Sequence, residues 1–331
     1  MIVTKAPLRI SLGGGGTDLP SYYRRFGSTF LSAAIDRYVY LSVHRNFGDE
    51  FIVKYSEVER AKDREGIRHP IVRECLKLVG HEAPLEIASF ADIPAGTGLG
   101  SSGAFTVALL KALYAEARRV HTCFSLAEDA CGIEMEKLAQ PVGKQDPYAA
   151  AVGGIQRFDI DREGRVTATP VPMSPATRVE LEEGLLLFFT GVSRKASEVL
   201  SHQDEETRKA SEGGGGQEML ENLHRTRELG EESYKALCSG DLAGFAHLMS
   251  AQWEQKRRRS PGSTRPEIDR AYELALGSGA LGGKLIGAGG GGFLMFFAQE
   301  KRALRKAMTG AGLSEVRFRF DDLGAQVVVQ G

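Results

Sequence analysis

Pro94-Ala-Gly-Thr-Gly-Leu-Gly-Ser-Ser-Gly-Ala104 is the stretch on which the reading of this chain turns. It follows Leu85 to Phe90, an apolar run that reads as a short strand. It leads into Ala104 to Ala117, where Phe105, Ala108, Leu109, Ala112 and Leu113 share one helical face. Glycines between a strand and a helix start let the backbone approach a phosphate, and free N–H groups with the helix dipole supply positive potential. Ser101 and Ser102 stand at the helix start, where a hydroxyl caps the helix or reaches a phosphate-bound cation. A tight turn capped by serine is the plainer alternative, and in this setting the weaker one.

Two common phosphate motifs are poor matches. No Gly-Lys-[Ser/Thr] occurs in any glycine cluster, which excludes a Walker A loop. G-x-G-x-x-G fits Gly98, Gly100 and Gly103, but equally Gly287, Gly289 and Gly292, so the match discriminates little. The acidic residue a dinucleotide fold wants about 20 residues on falls at Glu116, inside the predicted helix. Glycine is the compositional anomaly: 40 residues, clustered at 13–16, 96–103, 213–216 and 287–292, each needing a local reason because glycine loses backbone entropy on folding.

The remaining composition sets bounds. With 42% hydrophobic and 26% charged residues in 331, the chain can bury a core and fill two domains. A net charge of −1 without a basic half argues against nucleic acid or a membrane surface as partner. Four cysteines without CxxC spacing read as reduced thiols. No leader pattern and no membrane-length apolar run is visible, so a cytoplasmic, soluble protein is expected. The oligomeric state stays open, a homo-oligomer included.

Strand patterns at Ile2–Leu12, Tyr38–Val43 and Phe51–Tyr55 alternate with helical ones at Ile71–Val79 and Leu126–Leu138. Gly153–Ile160 and Val166–Val171 read as closing strands. Pro170–Ala176 reads as a linker, dividing the chain into 1–170 and 171–331. The second half continues with a strand at Leu185–Thr190. Helices follow at Met219–Ser239, Leu242–Arg258 and Pro266–Leu276, then Lys284–Ile286, Phe293–Ala298, a basic helix, and strands at Glu315–Phe320 and Ala325–Val329. Ser211–Gln217 reads as a mobile surface loop. The fold class is therefore two-domain α+β, with α/β layering.

Pro94-x-x-x-Gly98-Leu-Gly-Ser-Ser-Gly-Ala104 resembles the nucleotide loop of the GHMP kinases, whose usual form ends Ser-Ser-Ala-Ala; Gly103 is the departure. Pro7-Leu-Arg-Ile-Ser-Leu-Gly-Gly-Gly-Gly-Thr-Asp18 resembles the family's first motif and Lys284-Leu-Ile-Gly-Ala-Gly-Gly-Gly-Gly292 its third, in the expected order. The resemblance implies a two-domain kinase with a ferredoxin-like C-terminal domain, using ATP and Mg²⁺. Pro94, Gly96, Thr97, Gly98, Leu99, Gly100, Ser101, Ser102 and Gly103 would hold the nucleotide.

Further roles are carried over by the same resemblance. Asp146, in Gly143-Lys-Gln-Asp-Pro-Tyr-Ala149, matches the catalytic aspartate; without the family it reads first as an Asx turn before Pro147. Arg9 matches the basic residue that steadies the transferring group, although alone it would read as a strand's solvent face. Glu136 with Ser102 is expected to ligate Mg²⁺, Glu134 being easily confused with it. Gly15, Gly16, Thr17, Asp18, Tyr22 and Gln145 are expected around the sugar, with Gly289 and Gly290 lining the cleft opposite. Arg24, Arg25, Arg194 and Lys195 are the ranked candidates for a substrate phosphate, ahead of Lys256–Arg259, which read as a solvated helix end.

Within the family, Gly13–Tyr22, the Asp146 segment and Gly279-Ala-Leu-Gly-Gly-Lys-Leu285 resemble the branch acting on D-glycero-D-manno-heptose 7-phosphate. That implies a small phosphosugar as partner and the making of nucleotide-activated heptose for surface polysaccharide. Fucose kinase domains share much of this pattern, so L-fucose or another unphosphorylated sugar is the alternative. An inactive sensor on the same fold is the alternative of another class.

Overall fold

The computed structural model describes residues 1–193, 196–211, 216–260 and 262–331. In chain order the first part runs β1 (Ile2–Gly13), α1 (Pro20–Phe26), β2 (Ser28–Arg45), β3 (Phe51–Lys54), β4 (Val58–Ala61), α2 (Pro70–Val79), β5 (Leu85–Ala91), α3 (Ser101–Glu116), α4 (Cys123–Cys131), α5 (Gln145–Val152), β6 (Ile155–Ile160) and β7 (Val166–Pro170). The second runs α6 (Pro175–Gly184), β8 (Leu185–Phe189), α7 (Ala196–Ser211), α8 (Gln217–Ser239), α9 (Leu242–Arg259), α10 (Pro266–Gly277), β9 (Gly282–Leu285), β10 (Phe293–Phe297), α11 (Lys301–Gly310), β11 (Ser314–Val316) and β12 (Gln326–Gln330).

One sheet follows the order β12-β1-β2-β5-β3-β4, with β6 and β7 attached through β2. β2 is long enough to serve two neighbours on one edge: Ser28–Ala33 pair with β6 and Val39–Arg45 with β5. The sequence pattern showed only its second half. α3 lies buried on β1 and β2, and Thr4 Oγ1 donates to Ala108 O (2.7 Å) across that contact. The register of β1 against β2 shifts between Pro7 and Leu8 and again between Ser11 and Gly13; such bulges re-aim side chains. Arg9 and Ser11 lie between them.

The other sheet has the order β11-β8-β10-β9, and its chain order strand–helices–strand–strand–helix–strand is the ferredoxin-like arrangement. β10 is apolar at every position because both its faces are covered. Phe293, Met295 and Phe297 enter the core shared with the first sheet, while Leu294 and Phe296 pack with Trp253 and Tyr272 behind.

Two expectations change. The division at 170/171 does not hold to the end of the chain, because β12 returns to pair with β1, and Asp36 N donates to Arg319 O (2.9 Å) on the way. Pairing there covers a sheet edge that would otherwise be open. The glycine cluster at 287–292, expected to line the cleft, packs instead on the loop at 94–104. A Cβ on Gly98 would stand 2.8 Å from Ile286 O, and side chains at Gly287 and Gly292 would collide with Gly98 and with Thr97 O. Gly289 and Gly290 are buried beside Ser263, whose carbonyl accepts from Gly290 N (2.6 Å).

Gly287→Ala, at φ 76° against Gly98 Cα, is therefore expected to lower the melting temperature and weaken ATP binding together. Thermal denaturation with and without ATP checks this; an unchanged ATP-induced shift would contradict the coupling.

Candidate active site

The loop after β5 has Gly96, Gly98 and Gly100 at φ 77°, 84° and 78°, a left-handed conformation that L side chains resist. Gly100 begins α3 without a side-chain cap, which leaves the first-turn N–H groups available to an anion at the positive end of the helix. Thr97 and Leu99 anchor the loop and are buried: Thr97 Oγ1 donates to Pro94 O (3.0 Å). Leu99 O accepts from Arg9 N (3.0 Å).

Arg9, expected in sequence terms to be a solvent-facing arginine unless the resemblance held, is buried. Its Nε and Nη2 both reach Asp146 Oδ1, at 2.8 and 2.7 Å, and its Nη1 donates to Gly98 O (2.6 Å). One guanidinium thus joins β1, the phosphate loop and the start of α5. The Asp146 side chain keeps 33% of its exposure, so it is open to the cleft while its partner is not.

Glu136 is exposed and does not meet Ser102. Glu134 does. Ser102 Oγ donates to Glu134 Oε2 (2.9 Å) and Thr106 Oγ1 to Oε1 (2.7 Å), on a carboxylate that burial pushes up to about 7, with Asp146 adding to the rise. The reason is the π-helical turn Gly132–Lys137, which turns residue 134 toward α3 and residue 136, two positions on, away from it. Hydroxyl and carboxylate oxygens are a donor set suited to Mg²⁺.

The first glycine loop brings Asp18 to the same place. Asp18 Oδ1 accepts from Gly16 N (3.2 Å) and Oδ2 from Gln145 N (3.1 Å); burial raises its carboxyl, and the Asp146 charge adds to this. Gln145 Nε2 donates to Ser11 Oγ (3.2 Å) beneath Gly15. Other expected contacts lie elsewhere. Thr17 is fully buried and spends its hydroxyl on Gly14 O (2.9 Å) and Ser28 Oγ (2.6 Å). Tyr22 is core, bonded to His224 Nδ1 (2.7 Å) and packed on Phe26, Met219 and Leu223. Arg24 and Arg25 are exposed in the last turn of α1. Arg194 and Lys195 lie outside the described residues.

The cations that approach the site are Lys284 and, from the expected solvated end of α9, Lys256 and Arg259. Lys284, in β9, is buried and donates to Gln252 Oε1 (2.8 Å); burial, helped by the Arg9 charge, lowers its ammonium to about 7. Lys256 donates to Leu285 O (2.9 Å) and to Gly287 O, and burial with Arg259, Lys284 and Arg9 nearby holds it well below the usual lysine range. Arg259 lies against Gly16, pushed down to about 10 by burial, with Asp18 opposing the shift. A cavity of about 710 Å³ lined by Thr190, Arg265, Arg270 and Leu313 shares no residue with this cluster.

Residues 70–154 match the GHMP kinases N terminal domain and residues 233–312 the GHMP kinases C terminal domain. The chain belongs to the GHMP kinases. It is similar to the D-glycero-alpha-D-manno-heptose 7-phosphate kinase of Campylobacter jejuni, 29% identical over 326 residues and 93% of each chain. It is also similar to the L-fucokinase/L-fucose-1-P guanylyltransferase of Bacteroides fragilis, 24% identical over 92% of this chain and 36% of that one. In fold it resembles the crystal structure of a D-glycero-D-manno-heptose 1-phosphate kinase from Bacteroides thetaiotaomicron, with a TM-score of 0.82, 24% identity and both chains fully covered. The enzyme is thus an ATP-dependent phosphotransferase with an alcohol group as acceptor. Among its described residues no helix is long and apolar enough to cross a membrane.

In this kinase Gly103, where the family usually has alanine, has a local cause: a Cβ there would stand 2.8 Å from Asp146 Cβ and 2.9 Å from Pro147 N. The glycine lets α5 sit close enough to α3 to place the aspartate.

Lys284 yields a test without substrate. Between about pH 7 and its ordinary value of 10.5 the folded kinase holds fewer protons on Lys284 than the unfolded chain, so raising pH over that window relieves a penalty that is complete below it. Lys284→Met is expected to melt higher than the parent at pH 7, with the gap closing by pH 10. Melting curves across that range check it; a constant gap would mean packing, not charge, is responsible.

Proposed function

We propose that this kinase transfers the terminal phosphoryl group of ATP to the anomeric hydroxyl of D-glycero-D-manno-heptose 7-phosphate, giving the 1,7-bisphosphate. The observation that carries the phosphoryl-transfer chemistry is the Arg9–Asp146 pair held against Gly98 of the phosphate loop. Both Arg9 contacts fall on Asp146 Oδ1, which leaves Oδ2 to take the hydroxyl proton as the oxygen attacks. Arg9 keeps that carboxylate oriented through its contacts to Oδ1. The first turn of α3 and the bare backbone of Gly96–Gly100 receive the nucleotide phosphates. Ser102 and Glu134 are the residues suited to hold Mg²⁺, which when bound neutralises phosphate charge. Asp18, fixed by Gly16 N and Gln145 N, is placed to accept hydrogen bonds from the sugar's hydroxyls.

The acceptor is read from the Campylobacter relative together with the cations of the cleft. Such a product would feed nucleotide-activated heptose for surface glycans, in the cytoplasm where ATP is made. An unphosphorylated sugar such as L-fucose is the competing reading, supported by the fucokinase relative. An ATPase-coupled assay over sugars with and without a terminal phosphate decides between them: turnover confined to unphosphorylated sugars would sink the heptose-phosphate reading, and none with any sugar would favour a sensor.

Asp146→Asn is expected to lower kcat by about 10²- to 10⁴-fold while ATP still binds, measured by turnover beside ATP titration. Full activity would remove Asp146 as the base. Glu134→Gln should raise the Mg²⁺ concentration needed for half-maximal activity at least about 10-fold and Glu136→Gln should leave it unchanged. The reverse order in a Mg²⁺ titration would restore Glu136.

A further inference from the structure

We propose that Arg259, the last residue of α9, binds the acceptor's remote phosphate and makes the kinase choose a phosphorylated over an unphosphorylated sugar. This rests on the phosphosugar reading given above. Neighbouring arginines show what an ordinary helix-end cation looks like: Arg257 pairs with Glu254 (3.0 Å) and Asp269 (3.4 Å), and Arg258 is exposed. Arg259 does neither. Its Nη1 donates only to neutral oxygens, Thr226 Oγ1 (3.2 Å) and Asn222 Oδ1 (3.5 Å), and its Nε is shielded from solvent with no partner. Among the described residues no carboxylate lies within 4.0 Å of it. A guanidinium partly withdrawn from water, with its Nε buried and unpaired, is costly unless an anion completes it.

Its position selects which anion. The guanidinium rests on the sugar loop, where a Cβ on Gly16 would stand 2.9 Å from Nη2. Asp18 bridges Gly16, on which the guanidinium rests, and Gln145, the neighbour of Asp146: its Oδ1 accepts from Gly16 N (3.2 Å) and its Oδ2 from Gln145 N (3.1 Å). An acceptor with its reacting hydroxyl at Asp146 and ring hydroxyls at Asp18 therefore directs its far end to Arg259. Lys256, by contrast, is committed to Leu285 O and Gly287 O beside the phosphate loop, and Lys284 lies near Arg9, so those two face the nucleotide side. A planar fork of donors suits the oxygens of a phosphate monoester better than a hydroxyl does.

The test is steady-state kinetics of the full chain with heptose 7-phosphate and with the unphosphorylated heptose, for the parent, Arg259→Gln and Arg259→Lys. The parent's kcat/KM ratio favouring the phosphorylated sugar is expected to fall about 100-fold in Arg259→Gln, chiefly through KM, and about 10-fold in Arg259→Lys. If Arg259→Gln does not fold, the lysine variant carries the comparison. An equal loss on both sugars, with the parent's preference intact, overturns the assignment of Arg259 alone. A parent that turns over only the unphosphorylated sugar overturns the substrate reading and this inference with it.

Discussion

The guanidinium of Arg9 is the contact on which the site depends. It is buried, so its charge must be met by an opposite one, and Asp146 meets it through a single oxygen while Gly98 O takes another of its protons. Strand β1, the phosphate loop and helix α5 come from widely separated parts of the chain, and this group fixes their spacing. Removing it would leave Asp146 without its cation and the loop without its tether, so orientation and electrostatics would fail together.

Glycine has a second use here besides anion binding. Gly98 meets Gly287, Thr97 O meets Gly292, and Gly14 meets Gly230 with a would-be Cβ only 2.9 Å from Gly14 Cα. Each pair lets two backbones approach where any side chain would force them apart. Together with the core that runs from β1 into β10, these contacts join the two sheets into one body around the cleft. Some of the glycine clustering therefore shapes the site without touching a ligand.

The charges of the cleft are unevenly matched. Lys284 is buried and Lys256 and Arg259 are partly buried, Lys256 lies within charge range of the other two and of Arg9, and each is held less basic than it would be in solvent. Asp146 is committed to Arg9, and Asp18 faces Arg259 without pairing. Perturbed cations of this kind mark a functional site, because an arriving polyanion recovers the energy that burial withheld.

The loop Pro94–Ala104 was legible because strand, glycines and helix start are neighbours in sequence, and their spacing alone specifies a phosphate turn. The buried strands and the amphipathic helix Ile71–Val79 were legible for the same reason. Other features depend on distant chain. Which sheet the last strand joins is set by the open edge of β1, three hundred residues away. Whether Glu134 or Glu136 meets Ser102 is set by a π-helical turn that no local periodicity announces. Tyr22 and Thr17, expected at the ligand, are packed into the core, and Arg259, expected as a solvated helix end, lies against α8 and the Gly16 loop. Sequence by itself determined the motifs and hence the class of chemistry, since those rest on short-range backbone geometry. Only the tertiary structure decided which charges are buried together, because the electrostatic environment of a side chain is made by residues far from it in the chain.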